Sequence, residues 1–137
     1  MEEVIIHTDG ASRGNPGKAG IGVVIYDQNK KDVLAEVAEY IGETTNNVAE
    51  YKALIRALEE AEKLSCKRLN IYTDSDLLVK QFNGIYRVKH ENLQPLFAQV
   101  KKLASSFEKV KVEHVRREYN KDADKLANQG VDKSNFL

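Results

Sequence analysis

The chain has 137 residues, enough for a single core without disulfide or metal staples, and residues 1–137 are expected to form one domain. Lysine plus arginine and aspartate plus glutamate number 21 each, so no excess of positive charge marks a nucleic-acid partner and any basic footprint must be local. The longest apolar run, Ile21 to Tyr26, is far too short to span a bilayer, the start Met-Glu-Glu carries no leader, and the single Cys66 excludes an internal disulfide. A cytoplasmic protein without a membrane partner is the expectation.

The opening stretch Val4-Ile5-Ile6-His7-Thr8-Asp9 predicts a buried strand that delivers Asp9 to its mouth. The glycine-rich segment that follows, Gly10-Ala11-Ser12-Arg13-Gly14-Asn15-Pro16-Gly17, has the chemistry of a turn that stops a strand. Gly20 to Tyr26 predicts a second strand and Val33 to Ile41 a third, and the short polar turn between them favours an antiparallel meander. The third strand alternates in the manner of a sheet edge with one wetter side.

Thr44-Thr45-Asn46-Asn47-Val48-Ala49-Glu50 opens a helix that runs to about Lys63. Asn47 followed three residues later by Glu50 matches a capping box, so Glu50 taken alone reads as a capping carboxylate. It also shares a helical face with Leu54, Ala57, Leu58 and Ala61, the face this helix buries against the sheet, and capping alone does not require burial. Leu69 to Thr73 predicts a fourth strand, which a helical crossover places parallel to a neighbour, the first strand being the natural one. Ser75 caps a short helix through Asn83, stopped by Gly84, and a second helix starts near Asn92 and carries Leu96, Val100, Leu103 and Phe107 inward. Val110 to Val115 makes the last strand, and Asn120 caps a final helix with Asp124 one turn in. Asp124 taken alone reads as an acid favoured by the helix dipole.

The result is a mixed α/β sheet with helices on its faces. Sites in such sheets gather at the carboxyl ends of parallel strands, where Thr8-Asp9 and Thr73-Asp74 both lie and where the two helix starts bring Glu50 and Asp124. Separate structural readings of four acids do not explain their convergence, whereas two hard cations with oxygen ligands do. A pair of Mg²⁺ ions about 4 Å apart activates a water and stabilises the leaving oxygen of a phosphodiester. His7, His90 and His114 are scattered, and each reads as a packed or solvated residue rather than a ligand.

Four segments resemble, in order and across nearly the whole chain, the successive motifs of type 1 ribonuclease H. They are Thr8-Asp9-Gly10-Ala11-Ser12 with Gly14-Asn15-Pro16-Gly17, Thr45-Asn46-Asn47-Val48-Ala49-Glu50, Thr73-Asp74-Ser75, and Asn120-Lys121-Asp122-Ala123-Asp124-Lys125-Leu126-Ala127. The resemblance implies the ribonuclease H-like α/β fold, a five-stranded mixed sheet ordered 3-2-1-4-5 with helices on both faces. It implies hydrolysis of the RNA strand of RNA/DNA hybrids, leaving 3′-hydroxyl and 5′-phosphate ends, by two Mg²⁺ ions, with Mn²⁺ as a substitute. Asp9, Glu50, Asp74 and Asp124 are then the catalytic, metal-binding acids. Gly10, Ala11, Ser12, Asn15, Thr45, Asn46 and Asn47 contact the hybrid, Gly10 by letting backbone approach the RNA strand and Thr45 by holding a phosphate of the DNA strand. No protein partner is implied, and a monomer is expected.

Departures from the family pattern are also visible. The loop before the last helix, Val115-Arg116-Arg117-Glu118-Tyr119, lacks the histidine found in many relatives, leaving Arg117 or Glu118 in its place. The basic, tryptophan-containing protrusion of some relatives is missing, since the chain has no tryptophan and only Asn83 to His90 in that region. Glu43 and Asp76 stand where relatives often place Arg and Gln or Met, and Arg13, Lys80, Arg87 and Lys89 remain as cations to hold a polyanion. Competing readings are an inactive hybrid-binding module and another nuclease on the same fold, such as a junction resolvase.

Overall fold

The computed structural model describes residues 2–137. Five strands and four helices follow one another as β1 (Glu3–Gly14), β2 (Gly17–Asp27), β3 (Val33–Thr44), α1 (Asn46–Lys63), β4 (Arg68–Thr73), α2 (Asp76–Phe82), α3 (Gln94–Ala104), β5 (Lys109–His114) and α4 (Lys121–Asp132). Two short 3₁₀ turns, Arg117–Tyr119 and Lys133–Phe136, flank α4. The sheet order is β3-β2-β1-β4-β5, as the family resemblance implies. β1, β2 and β3 form the antiparallel meander, and β4 joins β1 in parallel through the α1 crossover, with β5 parallel beyond it.

Alternation along the strands divides the interior into two layers. Val4 and Ile6 of β1, with Ile21, Val23 and Ile25 of β2, face α1 and α3, where Leu54, Leu58 and Val100 complete the larger core. Val24 and Tyr26 of β2 face the other way and meet Leu126 of α4. Helix α4 lies against the backbone of β2: a Cβ added to Gly22 would sit 2.2 Å from the Ala123 carbonyl oxygen. Helices therefore cover both faces. No helix among the described residues is long and apolar enough to cross a membrane.

Four local expectations are corrected. β1 does not stop at Asp9 but continues to Gly14, because β2 pairs with it along its whole length, so Asp9 is mid-strand and the turn shrinks to Asn15 and Pro16. Strand β4 accompanies β1 only as far as the His7–Tyr72 pair, and that ending opens the space into which Asp9 faces. At the start of α1 the cap is Thr45, whose hydroxyl accepts from the Val48 amide at 3.3 Å. Glu50 then falls in the second turn, beyond the reach of a capping box built on Asn47. Asn120 stands at the start of α4 but makes no side-chain cap, because its carboxamide is spent on β1. The helix predicted from Asn92 is also shorter than expected, since α3 ends at Ala104 and Phe107 packs from beyond it.

Candidate metal and nucleic-acid site

Asp9, Glu50 and Asp74 come from β1, the second turn of α1 and the residue after β4, and each offers a carboxylate oxygen within 4.8 Å of the others. Asp9 and Glu50 are buried, each 5% exposed. Helix α1 can bring Glu50 this close because residue 10 is glycine. A Cβ there would lie 2.3 Å from the Ala49 carbonyl carbon and 2.4 Å from the Glu50 nitrogen. The Gly10 N–H in turn donates to the Glu50 carboxylate at 2.5 Å. Gly10 is thus required by the seating of α1, and its amide is committed to Glu50.

Burial, followed by repulsion from Glu50 and Asp74, pushes the Asp9 carboxyl far above the ordinary range. Burial and then Asp74 push Glu50 up as well, against the opposing effect of the Gly10 amide. Asp74 is raised chiefly by burial, with Arg117 pulling in the other direction. Such a cluster holds its charge at neutral pH only with compensation from a cation, and an all-oxygen donor set suits a hard divalent one. The residues fit a metal on these grounds.

Asp124 falls outside that three-way cluster but lies against Asp9, whose carboxyl it helps to raise. It lines the same cleft, of about 550 Å³, but its side chain is 33% exposed and its carboxylate lies 4.0 Å from the Arg117 guanidinium. Gly10, Ala11, Ser12 and Asn46 also line the cleft. Asn15, Thr45 and Asn47 do not, but they adjoin it: the Asn15 side-chain oxygen accepts from the Asn46 amide at 3.1 Å, Thr45 caps α1, and Asn47 is exposed beside them.

Residues 7–130 match the family described as Reverse transcriptase-like. A curated relative, Ribonuclease H of Clostridium botulinum, is 34% identical over 98% of this chain and 99% of its own length. LC11-RNase H1, solved in complex with an RNA/DNA hybrid, superposes with a TM-score of 0.90 at 45% identity, covering 96% of this chain and 98% of that one. The chain belongs to the type 1 ribonuclease H family. The bifunctional protein Rv2228c of Mycobacterium tuberculosis is 45% identical over 95% of this chain, which spans only 36% of that relative's length. Its N-terminal RNase H domain superposes with a TM-score of 0.92, covering 94% of this chain and 98% of that one.

Within this ribonuclease H fold the cleft has cationic and polar walls that the sequence reading passed over. His114, Arg116 and Asn128 line it beside Arg117. The signal for His114 was the strand-end rule itself: β5 runs parallel to β4 in a register that pairs His114 with Thr73, so its last residue must lie next to Asp74. Asn128 lies one turn after Asp124, and its side-chain amide donates to the Asp124 carbonyl oxygen at 3.0 Å. His7, by contrast, is packed as expected, held neutral chiefly by burial.

The cations expected near the site divide. Arg13 lines the cleft, paired with Asp132 at 2.7 Å. Lys80 pairs with Asp76 at 2.9 Å, which neutralises the acid that stood out as a departure. Arg87 and Lys89 line a separate surface with Leu77, Ile85 and Tyr86.

Proposed function

We propose that this chain is an endoribonuclease that hydrolyses the RNA strand of RNA/DNA hybrids and leaves 3′-hydroxyl and 5′-phosphate ends. The observation that carries the reading is the cluster of Asp9, Glu50 and Asp74, three carboxylates from three elements within 4.8 Å. An inactive binding module has no need of so costly a cluster. The family membership and the hybrid complex of LC11-RNase H1 support the choice of substrate. We further propose that residues 1–137 act as one domain and as a monomer in the cytoplasm.

The four acids Asp9, Glu50, Asp74 and Asp124 would hold two Mg²⁺ ions, with Mn²⁺ as substitute. When bound there, such ions supply a nucleophilic water and neutralise the leaving oxygen. The chain's own residues do the rest. The Gly10 amide fixes the Glu50 carboxylate at the cleft floor, so it needs no reorientation when substrate arrives. Arg117 balances Asp124 and presents a cation to the phosphate backbone. Gly10, Ala11, Ser12 and Asn46 form the wall along which the hybrid lies, with Asn15, Thr45 and Asn47 on its rim, and reading there is of shape and 2′-hydroxyls rather than base sequence.

The test is gel analysis of end-labelled hybrid, duplex RNA and duplex DNA with Mg²⁺. Cleavage confined to the RNA strand of the hybrid, with 3′-hydroxyl products, is expected. Equal cutting of duplex or branched DNA would replace this reading with that of another nuclease on the same fold, and tight hybrid binding without cleavage would replace it with a binding module.

A further inference from the structure

We propose that Asn120 is a positioning residue of this site: its carboxamide clamps the start of α4, and the loop that carries Arg117, onto β1 beside Asp9. Residues 116 to 119 are all exposed, yet the loop ends on a side chain that is 1% exposed. The Asn120 side-chain nitrogen donates to the Thr8 carbonyl oxygen at 2.9 Å. Thr8 lies one residue beyond the last rung of the β1–β4 ladder, so Asn120 supplies a donor where the neighbouring strand has ended.

The same carboxamide accepts from His7. Because the Thr8 oxygen only accepts, the amide orientation is fixed, its oxygen faces His7 Nδ1 at 2.9 Å, and His7 carries its proton on that nitrogen. The other ring nitrogen is 3.4 Å from Lys30 Nζ, which donates to it. The imidazole is wedged against the rings of Tyr72 and Tyr26, at 5.3 and 6.0 Å between centroids. His7 is therefore a locked support for Asn120.

Through its backbone the clamp reaches both groups at the far wall of the cleft. The Asn120 amide donates to the Arg117 carbonyl at 3.0 Å, and its carbonyl accepts from the Asp124 amide at 3.0 Å. One residue thus ties Arg117 and Asp124 to the residue that precedes Asp9. The helix itself has independent anchors, namely the close seating of Ala123 on Gly22 and the Tyr26 hydroxyl bonded to Asp122 at 2.5 Å. Loss of the carboxamide should leave α4 on the sheet while freeing the loop and the first turn, so the fold persists and the alignment of Asp124 and Arg117 with the buried cluster does not. Outer-shell partners of metal ligands act in this way.

The inference rests on the proposed ribonuclease H activity, and the test separates the two. Asn120→Ala, His7→Phe and the double variant are compared with the parent by circular dichroism, by calorimetric titration of the metal-free protein with Mn²⁺, and by steady-state cleavage of hybrid. For Asn120→Ala, native dichroism is expected with Mn²⁺ affinity and kcat each lower by roughly 10- to 100-fold. KM for hybrid should stay within about twofold of the parent, because Asn120 is buried and touches no substrate, and a purely structural role would lower thermal stability without moving kcat below melting. His7→Phe should give a smaller loss in the same direction, and the double variant should be no worse than Asn120→Ala, since both remove one clamp. Parental Mn²⁺ affinity and kcat in Asn120→Ala, or additive losses in the double variant, would overturn the proposal. If Asn120→Ala does not fold, His7→Phe decides alone, and a folded His7→Phe protein with parental kcat and Mn²⁺ affinity refutes the clamp. If the parent itself does not cleave hybrid, the activity reading fails, while the Mn²⁺ titrations still judge Asn120.

Discussion

Glu50 and Asp124 both reach the cleft from the beginning of a helix, and they are held in opposite ways. Glu50 is buried, seated by a backbone approach that only glycine permits, and tied at 2.5 Å to the amide of a central strand. Asp124 is one-third exposed, faces the exposed Arg117 side chain at 4.0 Å, and has its amide bonded back to Asn120 at the end of a loop. The difference divides the cleft into a floor and a wall. Buried Asp9 and Glu50, with half-buried Asp74, make a floor that concentrates negative charge, and Asp124, Arg117 and His114 make a wetter wall.

The sharpest way to break this comparison is at the floor. Glu50→Gln keeps an oxygen to accept from Gly10 but removes a charge, so cleavage should fall by at least ~10³-fold. The same variant should melt at a higher temperature than the parent in EDTA, because one of the mutually repelling acids is gone. Asp74→Asn should lose activity on the same scale and still bind hybrid. Parental activity in either variant, measured with a labelled hybrid, would remove the floor from the mechanism.

Gly10→Ala attacks the seating of Glu50 without touching a charge. The added methyl overlaps the Ala49 and Glu50 backbone, and overpacking of this kind costs about 3 kcal/mol. Urea unfolding should show that loss, with activity reduced even where the protein remains folded. At the wall, Asp124→Asn should be milder than Glu50→Gln, roughly 10- to 100-fold in kcat, the scale of a weakened rather than a lost ligand, and should raise melting in EDTA less than Glu50→Gln does. If Asp124→Asn proves as severe as Glu50→Gln, the distinction between floor and wall fails.

The titration of the floor gives a prediction with a definite sign. Glu50 is raised to about 8, and Asp9 is raised further. A carboxyl whose folded value exceeds its unfolded value of about 4 binds more protons when folded, so metal-free stability is full at low pH and declines as pH rises from about 4, through about 8 for Glu50 and on toward about 10 for Asp9. Melting in EDTA should follow that decline. Saturating Mg²⁺ should raise the melting temperature more at about pH 8 than at about pH 5, since protons and cations compensate the same charges. A flat profile in EDTA would place the acids outside a common field.

The smallest effect lies furthest from the floor. Glu43 is exposed near the end of β3, opposite Lys18 of β2, and does not line the cleft. Glu43→Arg removes one repulsion of a polyanion and adds one phosphate partner, which should tighten hybrid binding by roughly 1 kcal/mol and steepen the salt dependence by about one unit. The chemical step should not change, and unchanged affinity and slope would show that the DNA strand does not pass this position.

Sequence alone determined the order of elements, the antiparallel meander, the parallel crossover and the end of β4 at Thr73, because each is written in local hydrophobic period and turn chemistry. It also brought four acids to one end of the sheet, since sites gather at the carboxyl ends of parallel strands and the two helix starts lie there. What the tertiary structure decided is how each acid is held. Whether Glu50 caps its own helix or faces β1 depends on where α1 begins, and Thr45 rather than Asn47 settles that by two residues. Why residue 10 is glycine is visible only when α1 lies across β1, for the space its side chain would fill belongs to residues forty positions away. Asn120 reads locally as a cap, yet its carboxamide is taken by Thr8 and His7, more than a hundred residues distant, because a buried strand carbonyl past the end of its ladder outbids a helix terminus that water can reach.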